Sequence, residues 1–166
     1  MNGHPATLDP ARLEADCDFR TTRRSGPGGQ NRNKVETAVV LTHRPTGIVA
    51  EAAERRTQGE NRREALFRLR LKLALEVRTP PASAPSALWS SRLRGSRIVV
   101  SAEHEDFPAL LAEALDMLDA CEDDVKAASG QLGCSPSQFV KLLAAEPKAL
   151  VRVNARRGER GLHPLR

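Results

Sequence analysis

Ser25-Gly26-Pro27-Gly28-Gly29-Gln30-Asn31 is the stretch that most restricts this chain. Three glycines and a proline in four consecutive positions rule out helix and strand. Glycine tolerates positive φ and close backbone approach, while proline fixes φ and removes a donor. The stretch is a loop that ends on a neutral amide, Gln30. Arg20, Arg23 and Arg24 precede it, Arg32 and Lys34 follow, and no acid lies between Arg20 and Lys34. Such a field attracts phosphate. A solvated Gly/Pro turn with incidental charge accounts for the same residues.

The rest of the composition agrees with a polyanionic partner. Net charge is +5 over 166 residues, and Arg dominates the basic set. Aromatics are 3% of the chain, with one Trp and no Tyr, which argues against a binder that stacks bases on aromatic platforms. The charge is uneven: Glu103 to Asp124 holds acids and no Lys or Arg, and the chain end is basic again. Cys17, Cys121 and Cys134 are far apart and form no CxxC pair, which predicts free buried thiols in a reducing compartment. No apolar run approaches membrane-spanning length, and Met1 to Asp9 lacks a signal-peptide core, so the expected location is cytoplasmic, without membrane contact. The four His are isolated, and Gly26-x-Gly28-Gly29 lacks the Lys-Ser/Thr of a P-loop. No metal and no cofactor is expected.

Along the chain, Asp9-Pro10 starts a short helix through Ala15. Cys17 to Thr22 alternates and reads as a strand. Asn33 to Glu36 suits one helical turn. Ala38 to Thr42 and Ile48 to Glu51 flank Arg44-Pro45-Thr46-Gly47, a hairpin signature. Thr57-x-x-Glu60 is a capping box that opens a helix to about Arg78. Leu66, Leu69, Leu73 and Val77 form its apolar stripe; Arg62, Arg63, Arg68, Arg70 and Lys72 form an arginine-rich outer side, solvated or RNA-facing. Thr79 to Ser91, with Pro80, Pro81 and Pro85, reads as a linker. Beyond it, Asp106 is positioned to cap a helix carrying Phe107, Leu110, Leu111 and Leu118. Asp124 to Leu132 forms a second helix, stopped by Gly133, and Ser135-Pro136-Ser137-Gln138 opens a third. The tail from Arg156 is polar and basic.

Arg24-Ser25-Gly26-Pro27-Gly28-Gly29-Gln30-Asn31-Arg32-Asn33-Lys34 is followed by Thr37-Ala38-Val39, Leu41-Thr42-His43-Arg44-Pro45-Thr46-Gly47-Ile48-Val49 and Asn61-Arg62. This ordered set, from about Cys17 to Arg78, resembles the catalytic domain of class I peptide chain release factors and of the short ribosome-rescue peptidyl-tRNA hydrolases that share it. The resemblance implies an α+β fold: a small antiparallel sheet packed by one long helix, with a protruding GGQ loop. An all-α, helix-turn-helix-like domain follows. Taken with the linker and helices read above, the expected domain layout is a GGQ catalytic domain at 1–78, a Pro/Ser-rich linker at 79–97 and a small helical domain with a basic tail at 98–166.

The implied activity is codon-independent hydrolysis of the peptidyl-tRNA ester at the large-subunit peptidyl-transferase centre of the ribosome. Gly28 and Gly29 would aim the backbone N–H of Gln30 at the developing oxyanion or at the departing ribose oxygen, while the Gln30 side chain would admit water and exclude larger nucleophiles. Arg23, Arg24, Arg32, Lys34, Arg62 and Arg63 are the candidate rRNA contacts. Gln30 is also a candidate for methylation, as in related release factors. Arg32 departs from the family, where a small apolar residue is usual, and the chain is short for a stop-codon-reading superdomain. A monomer is the default.

Asp124 to Ser135 and Gln138 to Leu143 resemble a helix-turn-helix of the factor-for-inversion type, with Ser137, Gln138 and Lys141 on the second helix. RNA contact by this part is expected on its Lys141 to Arg166 side. The alternative function is a non-catalytic RNA- or ribosome-binding regulatory protein that targets through this helical part.

Overall fold

A computed structural model describes residues 3–23 and 36–166. The chain divides into two compact units, Met1–Leu73 and Ala74–Arg166.

In the first unit a short 3-10 turn, Pro5–Thr7, leads into α1, Pro10–Ala15, capped by Asp9, whose Oδ1 accepts from the Ala11 amide. β1 (Cys17–Thr22), β2 (Ala38–His43) and β3 (Val49–Ala52) form an antiparallel sheet in chain order. The register pairs Cys17 with His43, Thr22 with Ala38 and Val39 with Ala52. Successive strand residues point to opposite faces. Cys17, Val39, Leu41, His43, Ala50 and Ala52 therefore share one buried face. The β2–β3 turn uses Gly47 at φ 71°, where its amide bonds the His43 carbonyl at 2.8 Å. His43 is buried, and its Nδ1 bonds Thr46 at 2.8 Å, a structural task within the turn. Arg44 ties this turn to the end of α1 through the carbonyls of Cys17 and Ala15.

α2, Gln58–Glu76, begins with the expected capping box: Glu60 N–H donates to Thr57 Oγ1 at 3.2 Å, and Thr57 N–H to Glu60 Oε2 at 3.3 Å. Ala65, Leu66, Leu69 and Leu73 are buried on its inner side. Arg68 and Lys72 reach back to the β3 carbonyls of Glu51 and Val49. One expectation fails here. Arg70 does not belong to an outer arginine face; it is buried, and its Nε donates to the Ala6 carbonyl at 3.1 Å.

The second unit contains α3 (Ala87–Arg92), a small hairpin of β4 (Leu93–Arg94) and β5 (Arg97–Ile98), and then α4 (Phe107–Ala120), α5 (Val125–Leu132), α6 (Pro136–Ala144) and α7 (Pro147–Glu159). Most of the α4 surface is buried. The stretch read as a linker holds α3 and the hairpin. Trp89 is fully buried and donates its indole N–H to the Leu132 carbonyl at 2.7 Å. Asp106 does not cap α4 with its side chain; it accepts from Arg92 instead. α5 ends at Gly133 in the left-handed region, and Ser135 Oγ caps α6 by accepting from the Gln138 amide at 3.3 Å. The basic end is not a free tail. α7 continues through Arg156 and Arg157, and Leu165 N–H returns to Asn154 Oδ1 at 2.7 Å.

Candidate functional site: the root of the glycine loop

β1 and β2 are hydrogen-bonded up to the Thr22–Ala38 pair, so the chain leaves the sheet at Arg23 and re-enters it at Thr37. Gly28, Gly29, Gln30, Arg24, Arg32 and Lys34, together with most of the helical turn expected at Asn33 to Glu36, lie outside the described residues. The described root consists of the strand end up to Arg23 and the return from Glu36 onward.

Asn61 is the central residue of that root. It is wholly buried in the first turn of α2. Its Nδ2 donates to the Thr37 carbonyl at 2.7 Å and to the Arg55 carbonyl at 3.2 Å, and its Oδ1 accepts from the Arg55 amide at 2.9 Å. One amide thus holds the returning loop strand and the β3–α2 connection to the same helix turn. A buried polar group is tolerated only when its donors and acceptors are met, and here they are. Asn61, Ala65, Leu69 and Leu73 recur every four positions, so Asn61 stands on the apolar stripe itself. A lone amide in that register was the signal that could have marked it as a site residue.

Around this pin, Thr21 Oγ1 donates to Glu36 Oε2 at 3.0 Å, and Gln58 Nε2 reaches the Glu36 carbonyl at 3.4 Å. Arg23 is 64% exposed, with its Nε 4.0 Å from Glu36, so its charge stays largely available. Arg62 and Arg63 follow Asn61 directly. Arg62 bonds Glu14 in a fork, at 3.1 and 2.5 Å, and its guanidinium lies 5.1 Å from the Phe19 ring centre. The Glu14 carboxylate raises the Arg62 pKa, and partial burial opposes it. Arg62 therefore has a fold-internal task, whereas Arg63 is exposed. The structure brings Arg23, Arg62 and Arg63 to the described part of the unit that roots the loop.

A cleft of about 330 Å³ opens beside the root, lined by Thr22, Arg23, Val40, Glu51, Glu54 and Arg68. Glu54 accepts from the Ala53 amide at 2.9 Å and pairs with Arg68. The amide bond first, aided by Arg68 and opposed by desolvation, holds its pKa down at about 2. Among the described residues no group of three His, Cys, Asp or Glu side chains is arranged to hold a metal. No described helix is long and apolar enough to cross a membrane.

Residues 11–97 match the sequence model of the RF-1 domain family. The chloroplast peptide chain release factor PrfB1 of Arabidopsis thaliana is 43% identical over 89 residues, covering 49% of this chain and 20% of that protein. Peptide chain release factor 1 of Methylibium petroleiphilum is 43% identical over 96 residues, covering 55% of this chain and 26% of that protein. Its namesake in Acidiphilium cryptum is 45% identical over 74 residues, covering 45% and 21%. This chain thus spans only 20–26% of the length of these relatives.

Proposed function

This chain belongs to the RF-1 domain family of class I peptide chain release factors, and on that premise we propose that it frees nascent peptides on the ribosome by hydrolysing the peptidyl-tRNA ester without reading a codon. Water attacks the ester carbonyl carbon, the bond to the tRNA ribose oxygen breaks, and that oxygen leaves with a proton. Peptide acid and tRNA result. The Gln30 backbone N–H donates to the oxyanion that forms on the carbonyl oxygen, an interaction strongest in the transition state. No His or acid lies between Ser25 and Lys34, so positioning dominates and RNA supplies the remaining groups.

The observation that carries this reading is an intact Gly28-Gly29-Gln30 within a family match whose loop root is held by Asn61. Arg23, Arg24, Arg32, Lys34 and Arg63 are the basic residues assigned to rRNA, with Arg62 as a charge braced by Glu14. Gln30 is the residue assigned to methylation, and the protein acts as a cytoplasmic monomer. Codon independence is supported in the second unit. Its Ser135-Pro136-Ser137 tripeptide, superficially like a codon-reading one, is a helix cap: Ser135 Oγ bonds the Gln138 amide and lies 3.2 Å from Ser137 Oγ.

The test is peptide release from ribosomes stalled without a stop codon. Gly28→Ala constrains the backbone that aims the N–H and should slow release by about 100-fold or more, the scale of losing one oxyanion donor. Gln30→Ala keeps that N–H and tests the side chain separately. Background release by wild type, Gly28→Ala and Gln30→Ala alike would replace this reading with a non-catalytic ribosome-binding role.

A further inference from the structure

We propose that the second unit carries its own RNA-backbone site, in the cleft between β5 with the extended segment after it and helix α6. This cleft has a volume of about 480 Å³. Arg97 enters it from β5, Ser101 from the extended segment, and Gln138 and Lys141 from α6. Gln138 and Lys141 are three apart and so lie on one helix face. Ile98 and Leu142 add apolar surface.

Many of the cations of this unit are paired within the fold. Arg78 is paired to Asp116, Arg152 to Glu76, and Arg156 and Arg160 to the buried Asp123. Arg157 donates to the carbonyls of Asp123 and His163. The arginines of α7 are therefore largely engaged within the fold. Of the side expected to contact RNA, Lys141 to Arg166, the cations without an ion pair or side-chain hydrogen bond to a described residue are Lys141, Lys148 and Arg166, of which Lys141 lines the cleft. Arg92 and His104 also line the cleft, but both face Asp106. Arg97 and Lys141 are exposed, and neither is ion-paired to a described residue. No carboxylate is among the residues lining the cleft. Two cations without an ion pair to a described residue thus line one cleft together with the donors of Gln138 and Ser101 and with apolar side chains.

That combination suits a ribose-phosphate strand better than a free anion. The volume exceeds what one phosphate needs and falls in the range of small-ligand sites. A sugar can rest on Ile98 and Leu142 while phosphates reach Arg97 and Lys141. The choice of RNA over an acidic peptide rests on the ribosomal reading above.

The full chain is titrated with a short fluorescein-labelled oligouridine over a salt series. Arg97→Ala/Lys141→Ala should weaken binding about tenfold at low salt. It should also flatten the plot of log affinity against log salt by about 1.4, the release expected from two lost single-strand contacts. Lys126→Ala/Lys148→Ala removes the same charge from exposed positions outside the cleft and should leave the slope near the wild-type value. Equal losses in the two pairs, or no loss in the first, would overturn the site. A labelled oligoglutamate of matching charge that binds more tightly than the RNA and loses as much in the first pair would make the occupant an acidic peptide and overturn it too. Because binding is measured without peptide release, a dead hydrolase leaves the result standing. Normal release with unchanged RNA binding would remove this site alone.

Discussion

Replacing Asn61 by Ala leaves the Thr37 carbonyl and the Arg55 amide without their partner inside the fold. Such orphaned groups cost about 1–3 kcal/mol, and urea unfolding should show a loss of that size. Asn61→Asp should cost more, because it removes the donor and sets a carboxylate against two carbonyl oxygens. Glu54 gives a pH prediction. Its pKa falls from the ordinary 4.5 to about 2, so the unfolded chain takes the proton first. Its contribution is complete above about 4.5 and is lost as pH falls toward 2. Acid unfolding of Glu54→Gln should lack that increment. His43 acts in a higher window: burial lowers its pKa, so stability begins to decline as pH drops below about 6.5. Among the thiols, burial pushes Cys17 and Cys134 up to about 11, whereas Cys121 is half-buried. Alkylation at pH 8 should label Cys121 first and reach the other two only on unfolding.

At the scale of elements, the end of α7 depends on the turn between α4 and α5. Asp123 has φ 65° and a side chain 1% exposed, facing Arg156 and Arg160. Asn tolerates this left-handed conformation, so Asp123→Asn isolates the charge. Two guanidiniums would lose a buried counterion. Their own exposure reduces the penalty below that of a fully buried pair, leaving about 2 kcal/mol and a Tm lowered by roughly 10 °C. Calorimetry checks this. The same element shows what a sequence conceals. Strand β1, the turn at Gly47, the Thr57 box and the stop at Gly133 were legible because each is a local rule of periodicity or backbone conformation. The partners of Arg70, Arg156 and Trp89 were not, because each lies at least 33 positions away. Proline content made 79–97 read as a linker, although distant partners fold that stretch into α3 and a hairpin. The loop residues of the candidate site lie outside the described residues, and the Asn61 pin was legible only by its register on an apolar stripe.

For the whole molecule, a net charge of +5 and an Arg-rich composition predict that the ribosome association proposed above weakens as salt rises. Co-sedimentation across a salt series checks this, and a flat profile would argue for contacts other than phosphate. The chain also carries a built-in optical gauge. It has no Tyr, and its one Trp is Trp89, sealed away from solvent with its ring nitrogen bonded to a main-chain oxygen. Its near-ultraviolet emission therefore arises from one indole and reports on Ala74–Arg166. A red shift signals that this half has opened, while damage confined to the glycine-loop half passes without a change of colour.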